Sequence, residues 1–291
     1  MNYQHAFHAG NFADVHKHVV LTRVLEHLRG KPAAFRVIDS HAGAGRYELF
    51  GPEATRTGEW REGIERVLVP RPAGDDRAAN IASPQTLLAP YLAIVAALNP
   101  AGELRVYPGS PLVAKALLRP QDRLIACELE PRARASLTAA LRGEPRAKVL
   151  ALDGWMALNA NVPPKERRGV VLIDPPYEDA ADFMRLSSAL HEAHRKWPTG
   201  IYLLWYPIKD REAPDALARR LRRLGVAKVL RCEITLRAPG PDSGLIGSGL
   251  IAVNPPFTLA DELQILLPAL GRMFSPTSAH RLDWLTAEQV P

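Results

Sequence analysis

The segment Asp174-Pro175-Pro176-Tyr177 places a carboxylate, two prolines and an aromatic ring directly after an apolar run. Proline has no backbone N–H, so such a loop is stiff and its carbonyl oxygens are free to accept hydrogen bonds. The Asp174 carboxylate and the Pro175 carbonyl would accept the two hydrogens of an exocyclic amine on a nucleobase. Tyr177 would stack on the base, a contact worth about 1–3 kcal/mol. The loop would thus aim the amine nitrogen at a methyl donor, and much of the catalysis would be positioning.

Three other apolar runs end in residues that suit an adenosine pocket. The first enters the turn Gly43-Ala44-Gly45, where glycines let a ligand approach the backbone. The second ends at Glu128, which could bind both ribose hydroxyls or lie at the surface. The third ends at Asp153-Gly154, where the carboxylate could bind an adenine amine or cap the next helix. Together the three strand ends are more specific than any one, and they predict an adenosine pocket.

The N-terminal segment is rich in histidine, aromatic and polar residues and leads into a helix. Its histidine spacing matches no standard zinc ligand set, so no metal is expected. We predict a lid over the cofactor, with Tyr3 near the substrate base and with Lys17 and His18 near the cofactor's carboxylate. Lys17 is also a candidate contact for a nucleic-acid substrate.

Short apolar runs alternate with amphipathic stretches, which is typical of a doubly wound α/β sheet. Seven strands are predicted, at Phe35–Asp39, Arg123–Glu128, Lys148–Asp153, Gly169–Asp174, Gly200–Tyr206, Lys228–Leu236 and Leu250–Asn254. Helices are predicted between them, at Asp14–Leu28, Pro131–Arg142, Asp179–Trp197 and Ala213–Leu224. Ligands bind at the carboxyl ends of the strands in such sheets, which is where the pocket residues lie.

The last two predicted strands are separated by a short segment rich in Gly, Pro, Asp and Ser. A helical crossover does not fit in that length, so the final strand should be antiparallel. We expect a Rossmann-like sheet of seven strands, mostly parallel with one antiparallel strand. A look-alike loop, Asn254-Pro255-Pro256-Phe257, follows the reversed strand and would lie at the opposite edge. We therefore predict that Asp174, and not Asn254, carries the chemistry.

The interval between the first two predicted strands is much longer than the others. Within it, Ser83–Leu98 has the pattern of a helix with Ser83 as N-cap and a proline at the first position. We predict a helical subdomain at 47–106, inserted into a larger domain formed by 1–46 and 107–291. Residues 1–30 would form the lid segment and the first helix.

The whole chain of 291 residues has a net charge of +6, which favours a polyanionic partner. Basic residues cluster at 132–148, 165–168 and 219–223, and these runs favour contact with phosphates. The two cysteines, Cys127 and Cys232, lie in apolar runs and are expected to be buried thiols. No apolar run is long enough to span a membrane and no signal peptide is apparent, so a cytoplasmic monomer is expected.

Seven stretches resemble one family, in order along nearly the whole chain. They are F-H-A-G-N-F-A-D-V-H-K-H at 7–18, H-A-G-A-G-R-Y-E at 41–48, R-T-G-E-W at 56–60, P-G-S-P-L at 108–112, R-R-G-V-V-L-I-D-P-P-Y-E at 167–178, G-I-Y-L-L-W-Y-P at 200–207 and G-L-I-A-V-N-P-P at 249–256. The family is that of the RlmJ-type methyltransferases. The resemblance implies a class I methyltransferase fold with a helical insertion. It also implies methylation of an adenine at N6 in 23S ribosomal RNA, with S-adenosylmethionine as the methyl donor and no metal.

The resemblance implies roles for individual residues as well. With the glycine turn included, the expected cofactor contacts are His18, His41, Gly43, Ser110, Glu128, Asp153, Gly154 and Asp174. Asp174 would also accept the proton of the amine, and Tyr3 would touch the RNA. RNA as the substrate rests chiefly on this resemblance, because charge alone does not separate RNA from DNA.

Three other functions remain open. A DNA adenine-N6 methyltransferase would use the same Asp-Pro-Pro-Tyr loop on a flipped base. An NAD-dependent oxidoreductase could use the glycine turn and Glu128, although the full G-x-G-x-x-G is absent because Glu48 stands where its last glycine would be. A non-catalytic RNA-binding protein could keep the fold as a scaffold, although an intact Asp174 argues against that.

Overall fold

The computed structural model describes residues 4–69, 83–179, 181–240 and 244–287. Its strands are β1 (Arg36–Asp39), β2 (Arg46–Glu48), β3 (Val106–Pro108), β4 (Arg123–Cys127), β5 (Ala147–Leu150), β6 (Gly169–Ile173), β7 (Ile201–Ile208), β8 (Val229–Thr235), β9 (Gly247–Val253) and β10 (Ala279–Thr286). Its α-helices are α1 (Phe12–Arg29), α2 (Pro52–Thr57), α3 (Ile64–Leu68), α4 (Pro84–Ala97), α5 (Ser110–Leu117), α6 (Pro131–Ala140), α7 (Gly154–Asn161), α8 (Asp182–Lys196), α9 (Glu212–Arg223) and α10 (Leu259–Phe274).

The main sheet has the strand order β10-β8-β9-β7-β6-β1-β4-β5. The five strands from β7 to β5 in this order are parallel, and β9 is antiparallel to β7. The predicted sheet is confirmed: it is mostly parallel, and β9 is the predicted reversed strand. Helices cover both faces, which is why β6 and β9 are buried along their whole length and appear as unbroken apolar runs in the sequence.

The sheet has eight strands rather than the seven predicted. The additional strand, β10, pairs antiparallel with β8 at the edge and is a second reversed strand. Leu285 is the one buried residue of β10, and charged side chains stand among the others. An edge strand of this kind lacks the apolar signal that identifies the central strands, so the sequence pattern did not predict it.

Helix α1 brings the N-terminal part of the chain to the carboxyl edge of the sheet. Asn11 caps the helix, because its side chain accepts hydrogen bonds from the backbone N–H groups of Ala13 and Asp14. Most of the 18 residues of α1 are buried, including polar ones. The spacing of Asp14, Lys17 and His18 places their side chains on one face of the helix.

Helices α2, α3 and α4 lie within the predicted insertion at 47–106. Their flanking strands β2 and β3 pair antiparallel, so the two ends of the segment meet. Helix α4 packs against α1 and α10, and Tyr91 and Trp60 belong to the same hydrophobic core as those helices. We propose that 47–106 is one inserted unit, and that it extends the core on the α1 side of the sheet rather than standing apart.

Several predictions from composition concern buried or apolar groups. Cys127 and Cys232 are free thiols and both are buried, as predicted. Arg146 and Arg168, from two of the basic runs, donate to backbone carbonyls within the fold. These two guanidinium groups therefore link separate segments of the fold, independently of any contact that the basic runs make with phosphates. Over the described ranges, no helix combines the length and apolar character needed to cross a membrane.

Candidate active site

A cavity of about 660 Å³ lies at the carboxyl edge of the sheet. Such a volume is typical of small-molecule sites. Residues that follow β1, β4, β5 and β6 line it, and the N-terminal part of α1 closes one side. All of the predicted cofactor residues line this cavity: His18, His41, Gly43, Ser110, Glu128, Asp153, Gly154 and Asp174. Lys17 and Pro175 line it too.

The glycine turn after β1 is tied to the strand end that carries Glu128. The backbone N–H of Gly43 donates to Glu128 Oε2 at 2.8 Å, and that of Glu130 donates to Oε1 at 2.8 Å. Gly43 has a φ of +61°, and an added Cβ would lie 2.4 Å from the Tyr47 hydroxyl oxygen. Burial raises the pKa of Glu128 above its usual value. The turn and the carboxylate are thus fixed relative to each other at the wall of the cavity.

Asp153 has the capping role that its sequence position allowed, and its contact with an adenine amine stays a prediction. Its Oδ1 accepts hydrogen bonds from the backbone N–H groups of Trp155 (3.0 Å) and Met156 (3.1 Å), so it caps α7. It also lines the cavity, and both capping bonds use Oδ1. Oδ2 is therefore the oxygen that can turn to a ligand.

A cluster of buried charges joins α1 to the Asp174 loop. Lys17 Nζ lies 2.9 Å from Asp14 Oδ1 and also pairs with Asp174 Oδ2, and the Lys17 side chain is only 5% exposed. His5 Nε2 lies 2.9 Å from Asp14 Oδ2. Burial acts to raise the pKa of Asp14, but His5 and Lys17 together hold it well below its usual value. Lys17 in turn keeps a raised pKa despite its burial, because Asp14 and Asp174 favour its charged form.

Tyr177 lies beside the cavity rather than in its lining. Its hydroxyl donates to the Trp205 carbonyl, and its ring packs against Phe183 and Trp205 with centroids 4.9 and 5.6 Å away. Its φ of +52° falls in the left-handed region that tyrosine rarely adopts. The backbone and ring of Tyr177 are thus fixed, and its stacking on a base stays a prediction.

The two predicted cofactor histidines are neutral near pH 7. Burial lowers the pKa of His18 to about 3 and that of His41 to about 4. A neutral imidazole offers one donor nitrogen and one acceptor nitrogen. His18 Nε2 is buried and has no hydrogen-bond partner among the described residues.

These features can be compared with known proteins. The family model described as "Ribosomal RNA large subunit methyltransferase D, RlmJ" matches residues 32–286. The chain belongs to the RlmJ family. It is 39% identical to ribosomal RNA large subunit methyltransferase J of Escherichia coli and 38% identical to the Haemophilus influenzae protein of the same name, in each case over 99% of this chain and 100% of the relative. A crystal structure of a Legionella pneumophila protein superimposes with a TM-score of 0.84 at 35% identity, covering 95% of this chain and 98% of that one.

Membership of the RlmJ family confirms the predicted enzyme class, an RNA methyltransferase, and S-adenosylmethionine as its cofactor. The residues in the cavity fit this cofactor, since His18 has a buried, unpaired ring nitrogen and glycines leave room for a ligand close to the backbone. Within the described ranges, no group of three or more His, Cys, Asp or Glu side chains could hold a metal ion.

The look-alike loop has a different position and role in this RlmJ-family fold. Asn254 does not line the cavity, and its side-chain amide donates to the carbonyls of Pro198 (2.6 Å) and Gly200 (2.9 Å), at the amino end of β7. It therefore ties two segments together at the edge of the sheet away from the cavity.

The two residues predicted to contact RNA, Tyr3 and Lys17, remain without a test of that contact. Tyr3 lies outside the described residues, as does the stretch at 75–80 within the insertion. Lys17, predicted from its type to meet RNA, is buried and paired with Asp14 and Asp174, and its contact with RNA stays a prediction.

Sequence reasoning missed two acidic residues of the site. Asp14 precedes Lys17 by one helical turn, and that spacing was a signal for an ion pair. Asp39 is the last residue of β1 and accepts a hydrogen bond from Ser110 Oγ at 2.6 Å. Burial raises the pKa of Asp39 to about 7.

The substitution Gly154→Ala tests whether the cavity of this RlmJ-family protein binds S-adenosylmethionine. An added Cβ would lie 2.4 Å from both His41 Nε2 and the Ser40 carbonyl oxygen, so Gly154→Ala must displace the His41 ring. Overpacking of this kind costs about 1–3 kcal/mol, and we expect the affinity for S-adenosylmethionine to fall by about tenfold or more. Isothermal titration calorimetry measures this. Gly30→Ala is the control, because Gly30 has no such close contact; equal affinities for wild type and Gly154→Ala would contradict the expectation.

Proposed function

We propose that this chain transfers the methyl group of S-adenosylmethionine to N6 of an adenine in 23S ribosomal RNA. The observation that carries the proposal is that Asp174 and Pro175 line the same cavity as the residues expected to hold the cofactor. The relatives named as ribosomal RNA large subunit methyltransferase J match the chain over its length, which supports the large-subunit RNA as substrate.

We assign the cofactor's parts to residues by chemistry. Glu128 offers carboxylate oxygens for the ribose hydroxyls, and Asp153 offers Oδ2 for the adenine amine. His41 and Gly154 form the wall between them. His18 and the backbone N–H of Ser110, at the start of α5, suit the carboxylate of the methionine part. The bound cofactor supplies an electrophilic methyl group on a sulfonium centre.

Asp174 and Pro175 hold the acceptor amine. Each oxygen accepts one N–H of the amine, so the nitrogen lone pair is directed toward the cofactor side of the cavity. Lys17 pairs with Asp174 Oδ2, which leaves the other oxygen to accept the hydrogen bond and afterwards the proton. Tyr177 supplies a rigid ring beside the base. Tyr3 is included as an RNA contact on the resemblance alone.

DNA adenine methylation is the alternative for the same loop. The names of the relatives favour RNA, and no feature of the cavity favours DNA. We also propose that the chain acts as a monomer, and that it acts in the cytoplasm, where its ribosomal RNA substrate would be found.

Methyl transfer from labelled S-adenosylmethionine to unmodified 23S RNA tests the proposal, with nucleoside analysis of the product and duplex DNA as a competing acceptor. We expect N6-methyladenosine in RNA and no effect of the DNA. Preferred labelling of DNA would replace the RNA assignment by the alternative. Labelling of neither, with the cofactor bound, would show that the acceptor is another molecule.

RNA affinity should depend on salt through phosphate contacts at the cavity mouth. Arg132 lines the cavity and is exposed. We expect log K to fall linearly with log salt, and Arg132→Gln to make the slope shallower by about 0.7, the contribution of one phosphate on a single strand. Filter binding across a salt series measures this. Arg272→Gln, at an exposed position of α10 that does not line the cavity, should keep the wild-type slope, and an unchanged slope for Arg132→Gln would remove this contact.

A further inference from the structure

One ring nitrogen of His18 has a hydrogen-bond partner, and the other has none among the described residues. Its Nδ1 lies 2.9 Å from the Tyr107 hydroxyl oxygen, and the two rings are stacked with centroids 5.6 Å apart. Its Nε2 is buried without a partner among the described residues, and His18 lines the cavity. A buried polar atom without a partner is costly, so a ligand in the cavity is the natural partner for Nε2.

The Tyr107 hydroxyl is itself held by a second tyrosine. The hydroxyl oxygens of Tyr107 and Tyr91 are 2.9 Å apart, and both side chains are fully buried. Tyr91 belongs to α4 of the insertion, and Tyr107 belongs to β3, where the insertion ends. A hydrogen-bonded chain thus runs from the insertion to the cofactor site.

The direction of this hydrogen-bonded chain follows from whether each hydroxyl hydrogen has an acceptor. If Tyr91 donates to Tyr107, and Tyr107 donates to His18 Nδ1, both hydroxyl hydrogens are used. In the opposite direction, the Tyr91 hydrogen would have no acceptor among the described residues, because its hydroxyl contacts only that of Tyr107. A buried hydroxyl that cannot donate is penalised, so the first direction is favoured.

We propose that Tyr91 and Tyr107 hold His18 in the tautomer that carries its proton on Nε2, and that this N–H binds the carboxylate of the cofactor's methionine part. The carboxylate is the only anionic group of S-adenosylmethionine. Ser110, at the first position of α5, lines the same cavity, so its backbone N–H and the positive end of the helix dipole also favour a carboxylate there. The inference rests on the proposed function for the identity of the cofactor.

The inserted helices thereby gain a role in cofactor binding. Tyr91 orients the imidazole through Tyr107, although neither tyrosine is among the residues lining the cavity. Both tyrosines are positioning residues. Their loss should weaken recognition of the carboxylate and leave recognition of the adenosine part as it is.

Two ligands separate these parts of the cofactor. S-adenosylhomocysteine carries the carboxylate, and 5′-methylthioadenosine lacks the whole amino-acid part. Calorimetry on the full chain should show that Tyr107→Phe weakens S-adenosylhomocysteine binding by about ten- to a hundredfold, the effect of a lost bond to a charged group. Binding of 5′-methylthioadenosine should be unchanged. Tyr202→Phe is the matched control, because the Tyr202 hydroxyl bonds only to the carbonyls of Ala193 and Trp197, in the other hydrophobic core.

Equal weakening of both ligands in Tyr107→Phe would mean a general disturbance of the cavity and would overturn the proposal, as would no weakening of either. The tautomer itself is read from ¹⁵N–¹H correlation spectra of histidine side chains in the ligand-free protein, with His18 assigned from a His18→Asn variant. We expect protonated Nε2 in wild type and a mixture of tautomers in Tyr107→Phe and Tyr91→Phe. Protonated Nδ1 in wild type would refute the proposed direction of the hydrogen bonds from Tyr91 through Tyr107 to His18. Because this spectrum needs no ligand, it decides the tautomer even if S-adenosylhomocysteine fails to bind, a result that would instead refute the proposed function.

Discussion

Replacement of Asp174 by asparagine is expected to lower kcat for methyl transfer by about 10²–10⁴-fold, the usual contribution of a positioned acid or base. The amide has nearly the same shape, but it cannot take up the proton that leaves the amine. The ion pair with Lys17 is lost as well. The Kd for S-adenosylmethionine should change little, since most of the expected cofactor contacts come from other strand ends. Rapid-quench transfer assays and calorimetry measure the two quantities.

Asp261→Asn provides the comparison, because Asp261 is an exposed acid in the first turn of α10. It should keep the wild-type rate. Thermal melting must show that Asp174→Asn is folded at the assay temperature. A folded Asp174→Asn variant that retains more than about a tenth of the wild-type kcat would fall short of the contribution expected of a base and would exclude Asp174 from the proton transfer.

Lys17→Met should lower the free energy of unfolding by about 3–5 kcal/mol, as expected when one partner of a buried ion pair is removed. Lys17 is nearly inaccessible, and methionine would fill its volume while leaving Asp14 and Asp174 without their cation. Turnover should also fall steeply, because Asp174 would no longer be held in position by its ion pair. Urea unfolding and the transfer assay measure these effects. Lys165→Met, at an exposed position, should change neither the free energy of unfolding nor the turnover.

The pH dependence of that stability difference has a defined sign. In wild type the pKa of Asp14 is depressed, so its stabilising contribution is present above its unfolded pKa and is lost only as pH falls through the folded value. Without Lys17, His5 would oppose the effect of burial with less help, so the pKa of Asp14 in the folded state should rise and protonation would relieve part of the cost of its unpaired charge. The deficit of Lys17→Met should therefore be largest near pH 7 and shrink on acidification. A deficit that stays constant from pH 7 to pH 5 would contradict the charge-based explanation.

The central sheet was predictable because its strands are buried on both faces. β6 and β9 carry apolar residues along their length, which a sequence pattern detects directly. β10 was missed because a strand at the edge buries little. β2 and β3 were missed because three-residue strands are too short for any period to appear.

The cofactor side of the site was predictable for a related reason. Glu128 and Asp153 each follow a recognisable strand, and parallel strands present their carboxyl ends at one edge. The pairing of Lys17 with Asp174 joins residues 157 apart in the chain, and no local pattern carries that information. A lysine is normally exposed, so the burial of Lys17 between Asp14 and Asp174 could not be predicted from its residue type. The chain from Tyr91 to His18 is equally non-local.

The backbone conformation of Tyr177 affects which residue types can occupy position 177. At a φ of +52° a side chain bearing Cβ costs about 1–2 kcal/mol relative to a backbone in the right-handed region, and glycine avoids that cost. The contacts of the side chain oppose that cost, because the ring packs on Phe183 and Trp205 and the hydroxyl donates to the Trp205 carbonyl. Glycine at this position would relieve the backbone and lose the packing, so the two effects on stability have opposite signs.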